Sequence, residues 1–417
     1  MKKKLNAASL SGLMVGPVLG SGIVVLPTMA FEALGAYAFH AWILVMLLGA
    51  GFAYVFTRLG MMATTNEGVS QMVGQALGER FRDLSANYLT AAVCFGPVAV
   101  IQTATGYMTK LMPEGTVHPL VLSFAFLAAN VLVLLMGIRL MGGVTLALSS
   151  LTAVLLTAGG VYSLATGGVA ALPSGLPDLK SLGATLLILF WAIIGWEVVG
   201  NYVEDVENPR KTLMRAMKIS VAAVVLVYLV VTCALQSSRQ VLDGGAVDLA
   251  AVMAPLFGGA APYLLGAVAL ALCCCTIMMV LGAVTRQMAA RAGQGRFPAL
   301  FRQRRESRAP SRAILALSFV HCAMIVLIET NVVSLAFVVG IANTFFIGNA
   351  LLGLAGAFAC IHHAGVRTVI VLLAVCLCSL LLFSPAAGWV LLLMVTLATA
   401  AISPRAAKGR AEAGQGG

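Results

Sequence analysis

The sequence predicts an all-α integral membrane protein with about twelve transmembrane helices. Of its 417 residues, 60% are hydrophobic and only 10% are charged, and the mean hydropathy is +0.99. Soluble domains are about half apolar and about a quarter charged, so this much apolar surface cannot be hidden inside a water-soluble globule. The composition therefore excludes a soluble enzyme, a nucleic-acid-binding protein and a disordered chain, although the net charge is +11.

Twelve apolar segments are long enough to cross a bilayer, which takes about 20 mostly apolar residues in a helix. No long hydrophilic domain interrupts them, so we expect one transmembrane domain over residues 1–403 and a short cytoplasmic tail over 404–417. Because the last two segments are short and nearly fused, the sequence supports ten to twelve spans. In order, the predicted spans are residues 9–31, 37–57, 84–109, 119–137, 142–166, 181–202, 213–235, 257–284, 313–328, 333–360, 368–383 and 387–403.

Lysine and arginine are distributed unevenly between the two sides of these spans. With the N-terminus inside, all but three of the 26 Lys and Arg residues fall on the inner side, the exceptions being Lys110, Lys180 and Arg239. Since cytoplasmic loops carry the excess of cations in membrane proteins, we expect both termini in the cytoplasm. The Arg-rich loop from Arg286 to Arg312 is interpreted as a topogenic anchor, with binding of anionic lipid headgroups as the alternative.

One acidic residue falls deep inside a predicted span. Glu197 lies in the middle of FWAIIGWEVVGNY in span 6, whereas the other acids fall in loops or at span ends. A charged carboxylate at the bilayer centre costs at least about 2.5 kcal/mol, so such a residue is a functional candidate. A carboxyl group in this setting can hold a proton, which suits a proton-linked switch. The alternative is a neutral glutamic acid that only hydrogen-bonds a neighbouring helix.

Span 1 contains glycines and prolines that interrupt a helix. The segment GPVLGSGIVVLP, from Gly16 to Pro27, places Gly20, Ser21 and Gly22 directly after a proline-bearing turn. Close packing of small residues explains the glycine spacing but not this turn. A break here frees N–H groups on the following half-helix for a carboxylate and C=O groups on the preceding one for an ammonium. A broken span 1 therefore fits a zwitterionic ligand.

Spans 1 and 6 are the first helices of two possible five-helix halves. The halves cover residues 9–166 and 181–360 and have opposite topology, because five is an odd number; spans 11 and 12 follow over 368–403. Interrupted segments in corresponding positions of two halves are the strongest sequence sign of a transporter site.

Three motifs resemble the amino acid–polyamine–organocation superfamily of amino acid permeases. They are GSGIVVLP (Gly20 to Pro27), FWAIIGWEVVG (Phe190 to Gly200) and EDVENPRKTLMRA (Glu204 to Ala216), in this order. Chain length and span 6 are most similar to the bacterial exporter branch for methionine and branched-chain amino acids. The resemblance implies twelve helices with five-helix inverted repeats in a bacterial inner membrane. The segment ATTNEGVSQMVGQALG resembles the family's Pro-x-x-Gly-Gly loop, but it lacks the proline and carries Glu67 in place of one glycine.

The resemblance implies a substrate site where spans 1 and 6 are broken. The substrate carboxylate would bind the N–H groups that begin the second half of span 1. The substrate ammonium would bind free carbonyl groups beside the two breaks. The residues expected at this site are Val18, Gly20, Ser21, Gly22, Ile23, Trp191, Ile194 and Gly195.

Other side chains are assigned roles around this site. Glu197 resembles a proton-coupling or gating carboxylate of some relatives. Trp196, Gln102 and Asn343 are candidates for the pocket or a gate, with packing or interhelical hydrogen bonding as the alternative role. In the ENPR segment, we expect Arg210 to pair with an inner acid rather than to contact substrate.

These residues predict a transporter. Because no other acid or base is expected in the core, a charged substrate side chain would lack a partner there. We therefore expect a secondary active transporter of neutral apolar L-amino acids such as methionine, leucine, isoleucine and valine, proton-linked and working by alternating access. The alternatives are an amino acid sensor on a transporter fold and a permease for another small amine or amino acid.

An enzyme is not expected, and neither is a metal or cofactor. The five histidines are scattered at span ends and no second acid accompanies Glu197 in the bilayer, so no catalytic constellation is visible. The nine cysteines show no metal-type spacing.

Overall fold

The computed structural model of the chain describes residues 4–113, 115–171, 173–175, 177–238, 249–303, 309–382 and 384–413, without the side chains of Leu187 and of residues 403–413. Some parts of the orientation argument lie outside these residues. They are residues 414–417 of the expected tail and the cations Lys2, Lys3, Arg239, Arg304, Arg305 and Arg308.

The described residues fold into α-helices joined by short connections, and their one strand-like pairing is a parallel bridge between Leu5 and Val206. The first half contains α1 (Ala7–Leu19), α2 (Gly22–Leu34), α3 (Ala38–Gly60), α4 (Val69–Leu77), α5 (Glu79–Leu111), α6 (Pro119–Met136) and α7 (Ile138–Gly167). The rest contains α8 (Leu179–Leu189), α9 (Pro209–Ser237), α10 (Ala250–Phe257), α11 (Ala261–Gly293), α12 (Ser311–Glu329), α13 (Leu335–Cys360), α14 (Ala364–Leu381) and α15 (Ala386–Ala413).

The helices confirm an all-α membrane protein. Within the described ranges, nine helices are long and apolar enough to cross a membrane, or ten when the bent pair Leu179–Leu186 and Phe190–Asp205 forms one span. The twelve predicted spans exceed this number for two reasons. The stretch Ala7–Gly60 is one of the nine candidate helices although it contains the predicted spans 1 and 2. The apolar part of α15, Ala386–Ile402, is shorter than each of the nine and is not one of them.

Several helices run past the predicted ends of their spans. Helix α5 begins at Glu79 rather than at residue 84, α7 begins at Ile138 rather than at 142, and α11 ends at Gly293 rather than at 284. The added turns carry charged residues such as Arg286 and Arg291, both of which are buried against other protein groups. Hydrophobicity marks the part of a helix that lies in lipid and not its polar ends.

The centre of the protein is built around α1, α5 and α11. Every residue of α1 from Leu10 to Leu19 is buried, and this helix packs against α7, α9 and α11. Helix α5 packs against α11 and α13. The midpoints of these helices therefore face protein rather than lipid, and both broken spans meet there.

Candidate substrate site at the two broken helices

Span 1 is broken at the position that its glycines predict. Helix α1 ends where the N–H of Gly20 donates to the carbonyl oxygen of Gly16 at 2.7 Å. Gly20 has a φ of +43°, and a Cβ added to it would lie 2.5 Å from the carbonyl oxygen of Pro17, so this position requires glycine. Helix α2 begins at Gly22 without a side-chain cap. Its first N–H groups therefore have no partner within the helix and can donate hydrogen bonds to a ligand.

Span 6 is broken beside the first break. Helix α8 ends at Leu189, a short 3₁₀ helix covers Phe190–Ala192, and a second 3₁₀ helix covers Trp196–Asp205. Between these two, Gly195 has a φ of +120°, which favours glycine. A Cβ on Gly195 would lie 3.6 Å from Val18 Cγ2 of α1, so the two breaks are in contact. A 3₁₀ helix of ten residues is unusually long, since such runs seldom exceed about four residues.

A small cavity lies between the two breaks. Its volume is about 40 Å³, which is space for about three water molecules. Sites for small molecules have volumes of about 300 Å³ or more, so an amino acid enters only after the helices move apart. The lining comes from spans 1 and 6 and from α5, α11 and α13, through Pro17, Ser21, Gly96, Pro97, Val100, Trp191, Ile194, Gly195, Glu197, Val198, Thr276, Ile277, Val280 and Phe346.

The structure brings five of the predicted site residues to this cavity: Ser21, Trp191, Ile194, Gly195 and Glu197. Four others belong to the broken part of span 1 but do not line the cavity in this closed arrangement. They are Val18, Gly20, Gly22 and Ile23.

The three candidate pocket or gate side chains lie elsewhere. Trp196 is almost fully buried and does not line the cavity. The Nε2 atom of Gln102 donates to Oε1 of Glu329 at 3.2 Å, which joins α5 to the end of α12. Asn343 does not line the cavity, and its Oδ1 is buried without a hydrogen-bond partner.

Glu197 is the only titratable side chain that lines the cavity, among the residues the structure describes. Its side chain is 2% exposed, and its Oε2 atom accepts a hydrogen bond from the N–H of Gly195 at 2.9 Å. The carboxyl group is thus hydrogen-bonded to the backbone at the break in span 6. Nowhere in the described ranges do three His, Cys, Asp or Glu side chains cluster to hold a metal ion.

Tyr228 of α9 is a site residue that the sequence analysis missed. Its hydroxyl donates to the carbonyl oxygens of Val18, at 3.2 Å, and Leu19, at 3.3 Å, which are the last carbonyls of α1. Its ring stacks on Trp42, with ring centroids 4.4 Å apart. Tyr228 does not line the cavity, so it contacts the break in span 1 from outside the cavity. The sequence feature that could have indicated this role is a lone tyrosine hydroxyl in the apolar span 7.

Three further contributions to the cavity were not assigned to the substrate site from the sequence. Gly96 and Pro97 form a Gly-Pro pair in the middle of α5, and such a pair loosens a helix and could have drawn attention. Thr276 of α11 lies beside Gly20, because a Cβ on that glycine would be 3.1 Å from the threonine hydroxyl. Phe346 of α13 carries no sequence signal that separates it from other apolar residues.

A family model described as "Amino acid permease" matches residues 5–399, which is nearly the whole chain. The chain belongs to the amino acid permease family. It is therefore a multi-pass membrane transporter and not an enzyme, as the motifs of spans 1 and 6 predict. This permease is a member of the amino acid–polyamine–organocation superfamily.

Curated relatives of the permease include proteins with different cargoes. It is 21% identical to the uncharacterized amino acid permease YecA of Bacillus subtilis over 74% of each chain. It is 28% identical to the L-methionine/branched-chain amino acid exporter YjeH of Escherichia coli, but this match covers only 55% of each chain. It is 25% identical to the putrescine transporter PotE of Haemophilus influenzae over 55% of this chain and 54% of the relative.

Proposed function

We propose that this permease carries neutral, apolar L-amino acids such as methionine, leucine, isoleucine and valine across a bacterial inner membrane by alternating access, linked to protons. The observation that carries this proposal is the chemistry of the cavity lining. In the described residues, Glu197 is its one ionisable group, and the polar contributions of Ser21 and Thr276 are neutral hydroxyls. The remaining lining is apolar or glycine, which suits an apolar substrate side chain.

The backbone at the breaks supports a zwitterionic substrate. The uncapped start of α2 offers N–H groups to a carboxylate. The carbonyls of Val18 and Leu19 at the end of α1 accept from Tyr228, and each has a second lone pair that can accept from an ammonium. The likeness to YjeH, a methionine and branched-chain amino acid exporter, agrees with this choice of substrate.

A diamine is the second candidate. Two observations favour it: Glu197 offers a carboxyl group to a second amine, and PotE is a putrescine transporter. A diamine has no carboxylate, however, and leaves the N–H groups at the start of α2 without a partner.

A substrate panel in proteoliposomes tests the two candidates. We expect labelled methionine and leucine to exchange or accumulate, and a pH gradient to change their rates. Lysine and putrescine should not compete. Transport of putrescine without transport of methionine would reject the neutral amino acid proposal in favour of the diamine.

Glu197→Gln is expected to keep the permease folded and to flatten the pH dependence of transport. Glutamine preserves the size of the side chain and can accept the hydrogen bond from Gly195, but it cannot bind or release a proton. Initial transport rates over an acid-to-neutral pH series measure the effect. Glu329→Gln, which removes an acid outside the cavity, should retain the wild-type profile. A wild-type profile in Glu197→Gln would reduce Glu197 to a structural hydrogen-bonding group.

Both termini are expected in the cytoplasm, because nearly all cations fall on the same side of the spans as the N-terminus. A fluorescent protein fused to the C-terminus should fluoresce, and alkaline phosphatase fused there should be inactive. An active phosphatase fusion would contradict the orientation and the inverted repeats that depend on it.

A further inference from the structure

A second and much larger cavity opens at the inner end of the helices, the end at which α1 begins. Its volume is about 1090 Å³ and it shares no lining residue with the cavity at the breaks. We call it the inner-end cavity. It is bounded by the α3–α4 connection, the starts of α7 and α9, the end of the 3₁₀ helix Trp196–Asp205 and the residues before α12.

The inner-end cavity has a surplus of positive charge. Its lining has four cations and two acids, which leaves a surplus of two charges. Asp205 pairs with Arg286 at 2.9 Å, whereas Glu204 accepts only the N–H of Asn66, at 3.0 Å, and keeps its negative charge. The other lining cations are Lys4, Arg139 and Arg210. Within the described part of the chain, these three make no ion pair and no side-chain hydrogen bond, so the expected pairing of Arg210 with an inner acid is wrong.

Three helices point their N-terminal ends at the same cavity. Gly137, Pro209 and Pro310 line it, and they stand at the starts of α7, α9 and α12. None of these helix starts has a side-chain cap. The positive ends of the three helix dipoles therefore add to the surplus of positive charge.

The cavity also has an apolar wall. Met61, Met62, Met136 and Ile138 line it, and Met62 and Met136 are 43% and 72% exposed. A phosphate alone would leave this wall without a partner, whereas an amphipathic anion covers both parts of the cavity.

We propose that the inner-end cavity binds the phosphate group of an anionic phospholipid. The guanidinium groups of Arg139 and Arg210 suit phosphate oxygens because their planar donors bind two oxygens at once. Lys4 adds a third charge, and the methionines contact the glycerol and upper acyl carbons. A bound lipid connects the starts of spans 1, 5 and 7 to the end of span 6 and so stabilises the arrangement in which the inner side is closed.

Thermal-shift titrations of the purified full-length permease in detergent test this proposal, with dioleoyl phosphatidylglycerol, dioleoyl phosphatidylcholine and inorganic phosphate as probes. Phosphatidylglycerol should raise the melting temperature saturably and at least about tenfold more tightly than phosphatidylcholine. The variant Lys4→Gln/Arg139→Gln/Arg210→Gln should bind it at least about tenfold more weakly, since each cation near a membrane surface contributes to binding of anionic lipid.

A matched variant separates the cavity from general surface charge. Lys211→Gln/Arg215→Gln/Lys218→Gln removes three exposed cations of α9 that do not line the cavity, and it should bind phosphatidylglycerol like the wild type. Equal weakening of the two triple variants, or no preference for phosphatidylglycerol over phosphatidylcholine, would overturn the proposal. Equal stabilisation by inorganic phosphate, lost in the cavity variant, would overturn the lipid and leave a free phosphate anion as ligand. If the triple variant does not fold, the single variants Arg139→Gln and Arg210→Gln replace it, and each should also bind phosphatidylglycerol more weakly than the wild type.

Discussion

Gly22→Val is expected to abolish binding of neutral amino acids while membrane insertion and expression stay near wild type. A Cβ on Gly22 would lie 3.0 Å from the Tyr228 hydroxyl oxygen, 3.2 Å from Cδ1 of Leu26 and 3.5 Å from Cδ1 of Trp191. Valine adds two methyl groups beyond this Cβ and is stiff at χ1, so one of these neighbours must move. Each of these movements disturbs the break at which we propose that the substrate carboxylate binds. Binding of methionine and leucine to the purified variant, measured by tryptophan fluorescence or scintillation proximity, should no longer be detectable.

Two variants make this result specific. Ser21→Ala should do less, because it removes one hydroxyl worth about 0.5–1.5 kcal/mol and leaves the backbone N–H groups in place. Gly106→Val changes a glycine of α5 whose added Cβ meets nothing within 4 Å, so it should bind normally. If Gly22→Val binds methionine or leucine as tightly as the wild type, the carboxylate does not bind at this break.

The positions of both breaks could be predicted because their cause is local. Gly20 and Gly195 have positive φ values, and the glycines and the proline around them are visible in the sequence. The neighbours of a broken helix depend instead on how each other helix is rotated. Gln102 shows this limit, since a polar residue in a span turns either to a cavity or to another helix, and here it turns to Glu329. Tyr228 was missed for the same reason.

The ion pairs at the inner end could not be predicted from the sequence either. Arg210 was expected to pair with an inner acid and lines the inner-end cavity instead. Glu67, which departs from the glycine of the family's loop, is fully buried and makes a two-bond ion pair with Arg82, at 2.8 and 2.9 Å. The geometry of the loops determines which acid and which base form an ion pair. Hydropathy and charge counts carry no information about that geometry.

The inner half of span 6 contacts the α3–α4 connection backbone to backbone. A Cβ on Gly200 would lie 3.2 Å from Cα of Gly68 and 3.4 Å from Cα of Gly60. Two reciprocal hydrogen bonds hold the same contact: the Asn66 N–H donates to Oε2 of Glu204 at 3.0 Å, and the Glu204 N–H donates to Oδ1 of Asn66 at 2.9 Å. These bonds and the glycine contact close the inner side beneath the cavity at the breaks.

Gly200→Val is therefore expected to cause a large loss of transport and a lower melting temperature. Backbone atoms of Gly60 and Gly68 cannot turn away as a side chain can, so the inner half of span 6 must separate from the α3–α4 connection. Overpacking of this kind costs about 1–3 kcal/mol, and it opens the contact that closes this side in the proposed alternating-access cycle. Methionine exchange in proteoliposomes and thermal unfolding in detergent measure the two effects.

Gly183→Val is the matched control, because this glycine lies in the outer half of the same span and an added Cβ there meets nothing within 4 Å. It makes the same substitution in a helical part of the same span without the close approach, so transport and melting temperature should stay near wild type. If Gly200→Val and Gly183→Val behave alike, the glycine contact is not needed for transport. A loss confined to Gly200→Val means that span 6 needs glycine on its inner half for closure, separately from the glycine that its break needs at Gly195.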